Sequence, residues 1–366
     1  ASEGGKVYLY AEGNAVAKAG QTIDISGGTI SGDAGSAELS SGGDMELGGN
    51  FVGYANEPYK KGSFLIDPVD LTIDSLIEGT GDYTLTATGD IHHKIGGDVI
   101  IHSGSFTGQA GTDYIIDSTV SITADNNIEI RADNSITTAG DLTSKTGSII
   151  FVADYDNNKT GNFKMTGGSI NTSDTNSFIA ILAGRDVILA GGEIKNSGVN
   201  EDIGIGIAAG HNINVTGTTV TSEGGKKIWF LPNCLDTSGN FNMTGGKIQM
   251  ESGSKDIEIG FHLYWHPFPG VTIKFFVVPE YIFIKGGSIV NDGTGNIVLR
   301  AYYDIYVDVS LVKTSSGRII YDIIYGGGHF TTYGYDSEEE GEDRKEQKRM
   351  VGRLLSQFKC ETIKLR

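Results

Sequence analysis

Apolar and polar residues alternate along most of this chain with a period of two. Val7, Leu9 and Ala11 alternate with Lys6, Tyr8 and Tyr10. Ile128, Ile130 and Ala132 repeat the pattern, as do Ile203, Ile205 and Ile207, Ile257 and Ile259, and Ile297, Leu299 and Ala301. Side chains two apart share one face of a strand, so each run predicts a short strand with one branched, apolar face. Helical periodicity is almost absent before residue 340.

A phrase, Gly-Gly-x-Ile, punctuates the strands at Gly27-Gly28-Thr29-Ile30, Gly167-Gly168-Ser169-Ile170, Gly191-Gly192-Glu193-Ile194, Gly245-Gly246-Lys247-Ile248 and Gly286-Gly287-Ser288-Ile289. Gly217-Thr218-Thr219-Val220 is a degenerate copy. From Gly167 through Gly191 and Gly217 to Gly245 the steps are 24, 26 and 28 residues. Two or three short strands with their turns fill one such step, which is one coil of a parallel β-helix. A single coil cannot bury its inward residues, so coils must stack into ladders, with Ile205, Ile228 and Ile257 expected to point inward. At about 24 residues per coil, residues 1–335 would hold about 14 coils in a rod about 65 Å long. The predicted class is all-β: a right-handed parallel β-helix, or β-solenoid, with a short C-terminal amphipathic helix.

Two regions depart from the pattern. Residues 261–284 are an aromatic insertion holding Phe261, Tyr264, Trp265, Phe268, Phe275, Phe276, Tyr281 and Phe283. From 336 to 366 an acidic run, Ser337 to Asp343, leads into a basic stretch, Arg344 to Arg349. Met350, Val351, Leu354, Leu355 and Phe358 then recur at helical spacing, which predicts an amphipathic tail.

Composition agrees with many turns: Gly numbers 54 and Pro 6, which excludes collagen-like and Pro-rich chains. The net charge of −18 repels phosphate and anionic lipid, so neither nucleic acid nor membrane insertion is expected. No apolar run reaches the length of a membrane-spanning helix. Two cysteines, Cys234 and Cys360, make no disulfide framework and are expected to be unconnected thiols. The opening Ala1-Ser2-Glu3 fits a processed start and equally a cut from a longer chain.

The first part of the chain adds a more specific signal. It reads Gly4-Gly5-Lys6-Val7-Tyr8-Leu9-Tyr10-Ala11, then Ile23-Asp24-Ile25-Ser26, then Gly35-Ser36-Ala37-Glu38-Leu39-Ser40, then Gly62-Ser63-Phe64-Leu65-Ile66-Asp67-Pro68 and Leu71-Thr72-Ile73. In that order and over residues 4–73 it resembles the filamentous-haemagglutinin-like exoproteins of two-partner secretion systems. The resemblance implies export across an outer membrane, a parallel β-helix, and a role in adhesion, contact or surface fibres outside the cell. In that family a secretion domain with its own cap precedes this stretch. Its absence here, with the short chain, implies a processed unit or a subunit of an assembly.

Parallel β-helices also house polysaccharide lyases and hydrolases, so a carbohydrate-active enzyme is the alternative. Such enzymes need Asp clusters with Lys or Arg on one face of adjacent coils. Only Gly328-His329-Phe330 resembles part of their motifs, so no catalytic residue is assigned. His92-His93 and the pair His262 and His266 lack helical metal-ligand spacing and read as surface imidazoles. Gly79-Thr80-Gly81-Asp82 and Asp292-Gly293-Thr294-Gly295-Asn296 resemble calcium-binding turns but read as ordinary ones. No cofactor or metal is expected. The candidate interaction residues are Tyr264, Trp265, Phe268, Phe275 and Phe276 in the insertion and Met350, Val351, Leu354, Leu355 and Phe358 in the tail. The insertion either packs on the solenoid flank or offers a surface to a receptor or a glycan. The first coil has no cap, and the tail either covers the last coil or docks on a second copy, joining rods into a fibre.

Overall fold

The computed structural model describes residues 3–18, 20–199, 203–232, 239–268 and 271–323. The predicted alternation becomes three ladders of parallel strands wound into a solenoid. One sheet of 13 strands forms the first face, from Lys6–Ala11 to Ile319–Ile323. Its inward ladder runs Val7, Ala37, Phe64, Tyr83, Phe106, Ile128, Ile149, Ile179, Ile205, Ile228, Ile257, Ile297 and Ile319. Ile205, Ile228 and Ile257 are fully buried, as their spacing predicts.

A second sheet of 18 strands supplies the other two faces. They share long strands such as Phe163–Thr172, Val187–Asn196, Phe241–Met250 and Tyr281–Asn291, which bend in the middle. The bend is the Gly-Gly phrase. Gly168, Gly192, Gly246 and Gly287 have φ of 66°, 81°, 78° and 77°, a region that costs glycine alone nothing. The Ile that follows is then aimed inward on the third face, where Ile170, Ile194, Val220, Ile248 and Ile289 stack. The degenerate copy holds the same corner, with the buried Thr218 hydroxyl donating to the Gly191 carbonyl at 2.8 Å. The first copy does not: Gly27-Gly28 lies outside any strand, and Ile30 is 90% exposed.

Sheet one has thirteen rungs among the described residues, which end at 323, and the step between them is not constant. It falls to 19 residues from Phe64 to Tyr83 and rises to 40 from Ile257 to Ile297. The long step carries an antiparallel ribbon, Phe261–Phe268 paired with Val271–Val277. The solenoid resumes at Tyr281, since Ile282 and Ile284 are already in the core. Among the described residues the helical element is one 3-10 turn, Val309–Leu311. The tail expected to be helical lies outside the described residues.

Several polar side chains are buried with the apolar ladders, among them Thr138, Asn196, Asn291 and one histidine. His93 is fully buried, stacked on Tyr114 at 5.5 Å. Its Nδ1–H donates to the Gly97 carbonyl at 3.2 Å, which leaves Nε2 to accept from the Tyr114 hydroxyl at 2.8 Å. Burial lowers its pKa to about 4 from 6.5. The unfolded chain therefore binds an extra proton between those values, and stability falls as pH drops through that window. The expected loss reaches about 3 kcal/mol at the acid end. Thermal melts from pH 7.5 down to 4 should show this slope, and His93→Gln should remove its part of it.

Candidate functional site: corners, outer faces and the open first coil

The Asp and Asn residues that acid–base chemistry would recruit are mostly engaged at the corners. In most coils the residue just before the second face uses its side-chain oxygen to accept the backbone N–H of its counterpart in the next coil. Asn14 accepts from Asp44 at 3.1 Å, Asp70 from Asp90 at 2.7 Å, Asp90 from Asp113 at 3.0 Å, and Asp113 from Ser135 at 2.9 Å. Ser135 continues to Asn162 at 3.2 Å, Asn162 to Asp186 at 3.1 Å, Asp186 to Asn212 at 2.9 Å, and Asn212 to Asn240 at 2.9 Å. A less continuous spine before the first face runs through Asp82, Asn127, Ser148, Asp256 and Asn296. These bonds satisfy corner N–H groups that the strand ladders leave over. Replacing Asn212 by Ala strands the Asn240 N–H and should cost about 1–2 kcal/mol in a denaturant titration. Asn212→Asp, which keeps the acceptor, should cost less.

The sequence reading missed this spine. Its signal is an Asp or Asn directly before an inward apolar residue, as in Asn14-Ala15, Asp44-Met45, Asp70-Leu71, Asp90-Ile91 and Asp186-Val187.

Ionic groups on the outer surface are paired locally. His92 lies 2.9 Å from Asp117, and His102 lies 3.2 Å from Glu78. Lys145 donates to Asp125 at 2.7 Å and holds its carboxyl below the usual range. The sequence placed His92 and His93 together on the surface; the structure sends His93 into the core instead, because the period of two puts neighbours on opposite faces. Gly81 turns the chain at φ 111°, and Asn291 ties the later turn by accepting from the Gly293 N–H at 3.0 Å. Among the described residues no three His, Cys, Asp or Glu side chains come together around a metal position. None of the described helices is long and apolar enough to cross a membrane.

Aromatic residues gather on the outer side of the second face near its C-terminal end. Phe283 and Tyr306 stack at 5.1 Å with planes 4° apart, and Tyr281 and Tyr303 at 5.5 Å and 29°. Lys285 lies over Phe283 at 5.2 Å. Rings that stack rung on rung turn their faces to each other and their edges to solvent. Rings stacked rung on rung in this way form a cross-strand aromatic ladder.

The other candidate residues separate by location. Tyr264, Trp265, Phe268, Phe275 and Phe276 lie on the ribbon strands, where the register pairs Trp265 with Ile273 and Leu263 with Phe275. Met350, Val351, Leu354, Leu355 and Phe358 lie outside the described residues, as do Cys234, His329 and Cys360.

Among the described residues, no strand stacks on the outer side of the first coil. Among the described residues, strands Lys6–Ala11, Ala15–Ala17 and Thr22–Asp24 each pair on one side. Leu9 is 52% exposed and Ala11, Ala15, Ala17 and Ile23 are half-buried, whereas Leu39, Met45 and Phe51 one coil on are buried. The exposed interior forms a mouth of about 600 Å³ lined by Leu9, Ala15, Ala17, Ile23, Leu39 and Met45. Comparison with protein-family models, curated proteins and solved structures finds no match.

Proposed function

We propose that this chain is a structural or adhesive protein of a bacterial cell surface that associates end to end. The observation that supports the reading is the long parallel solenoid itself, with thirteen stacked rungs in sheet one among the described residues and a resemblance to surface exoproteins over residues 4–73. The solenoid is proposed to be right-handed, the hand that crossover connections between parallel strands take almost without exception. The resemblance over residues 4–73 supports export by a two-partner route. A contact between the first coil of one copy and the C-terminal segment of the next is heterologous and does not close, which is the condition for a filament. Met350, Val351, Leu354, Leu355 and Phe358 are the residues proposed to make that joint. Adhesion to a receptor or glycan is the role proposed for the assembled surface.

Sedimentation and negative-stain electron microscopy of the full chain test the reading. Concentration-dependent rods that are lost in Leu9→Lys and on deletion of residues 344–366, with the circular dichroism of the solenoid unchanged, are expected. A full chain that stays monomeric at high concentration overturns the assembly. Rods that survive the deletion overturn the tail as its joint.

A further inference from the structure

Sheet one has two different outer surfaces. In its first half the outward residues are mostly polar or exposed, as at Tyr8, Tyr10, Glu38, Thr84, Thr107 and Glu129, with the half-buried Leu65 the apolar exception. From residue 149 onward the alternation lapses, in Ile149–Ala153, Ile179–Ala183 and Lys227–Leu231. Continuous apolar runs of this kind belong to strands covered on both sides. The outward side chains there are indeed buried: Val152, Ala180, Leu182, Ala208, Trp229, Leu231 and Val298. Trp229 is 1% exposed although it points away from the core ladder, and Lys227 and Glu258, paired at 3.0 Å, are buried beside it. A lysine and a tryptophan do not bury on the outside of a solenoid unless a second layer lies over them.

We infer that the occupant of this surface is the chain's own ribbon, Phe261–Phe268 with Val271–Val277. Position is the first argument. The ribbon leaves sheet one directly after Ile257–Ile259, and its return point, Val278, is 3% exposed. Direction is the second. The buried outward residues lie mostly on the N-terminal side of that rung, and on the last rung Ile320 is 38% exposed. A tail arriving from Ile323 would cover Ile320 first. Composition is the third. The register sets Phe261 against Val277, Leu263 against Phe275, and Trp265 against Ile273. These six alternate positions are all apolar in the sequence, whereas His262, Tyr264, Lys274 and Phe276 at the intervening positions are mixed in character. Length is the fourth: an eight-residue strand reaches about 26 Å, and the five steps from the Ile149 rung to the Ile297 rung span about 24 Å. The ribbon is thus a built-in second layer, and an adhesive contact has to use other surface.

The two tryptophans make the test direct. With Trp265→Phe, emission reports Trp229 alone, and it should be blue-shifted and shielded from acrylamide. Replacing residues 261–277 by a short Gly-Ser link should red-shift it and raise quenching several-fold, with circular dichroism retained. Truncation after Ile323 should leave it shielded. Should the deletion fail to fold, Leu263→Asp and Phe275→Asp in the Trp265→Phe chain should expose Trp229, while Tyr264→Asp should not. A Trp229 that stays shielded without the ribbon, becomes exposed on truncation of the tail, or responds equally to both sides of the ribbon overturns the inference.

Discussion

Ile205→Asp is expected to prevent the solenoid from folding across its central coils. Ile205 is fully buried and stands in the inward ladder between Ile179 and Ile228. A carboxylate there has no partner, and both flanking rungs are apolar, so it must stay charged in hydrocarbon or take up a proton. The cost, with the lost packing, is about 5 kcal/mol or more. Because each coil rests on its neighbours, the damage should spread from the substituted rung rather than remain local. Loss of strand signal in circular dichroism, or protease cleavage near residue 205, would register it. Thr107→Asp, on an outward position of the same sheet, is the control and should change stability by less than about 0.5 kcal/mol.

The second large effect separates two adjacent glycines. Gly168 has φ 66°, and a Cβ there would lie 2.0 Å from the Gly140 carbonyl oxygen in the preceding coil. Backbone cannot yield as a side-chain end can, so Gly168→Ala must shift the corner between the second and third faces. Left-handed strain and the forced shift together should cost about 3 kcal/mol. Gly167 meets nothing closer than the Ala139 carbonyl oxygen at 3.6 Å, an ordinary contact. Gly167→Ala should therefore be close to neutral. Urea midpoints of the two variants measure the contrast, and equal midpoints would remove the role given to the second glycine.

Legibility in the sequence followed how far each signal depends on local backbone. The ladders were readable because alternation and the Gly-Gly corner are local, and Ile170, Ile194, Ile248 and Ile289 fall where the phrase puts them. The same phrase misled at Gly27, because two glycines also suit an open loop, and only the strands on either side tell the two uses apart. The corner spine went unread because Asp and Asn are common in any turn. What distinguishes Asp90 or Asn162 is a partner one coil away, fixed only once coils are in register. The covered half of sheet one was visible as continuous apolar runs such as Lys227–Leu231. Ile228 there follows the inward period, whereas burial of the outward Trp229 beside it depends on a second layer that local alternation does not encode. Variation in coil length was not legible, since a rung needs only its inward residues in register and tolerates connections of different length.

The stacked parallel register is the central claim, and spin-label distances along one outward column test it most directly. Glu38, Leu65, Thr84, Thr107, Glu129 and Ile150 stand on successive rungs of sheet one. In a chain with Cys234 and Cys360 replaced by Ser, nitroxide pairs joining position 38 to 107, 129 and 150 should lie about 14, 19 and 24 Å apart at the backbone, rising by about 4.8 Å per rung. A steady rise of that size for each rung added is the predicted result. Distances that do not grow with rung number, or that alternate as an antiparallel meander would make them, would contradict the solenoid.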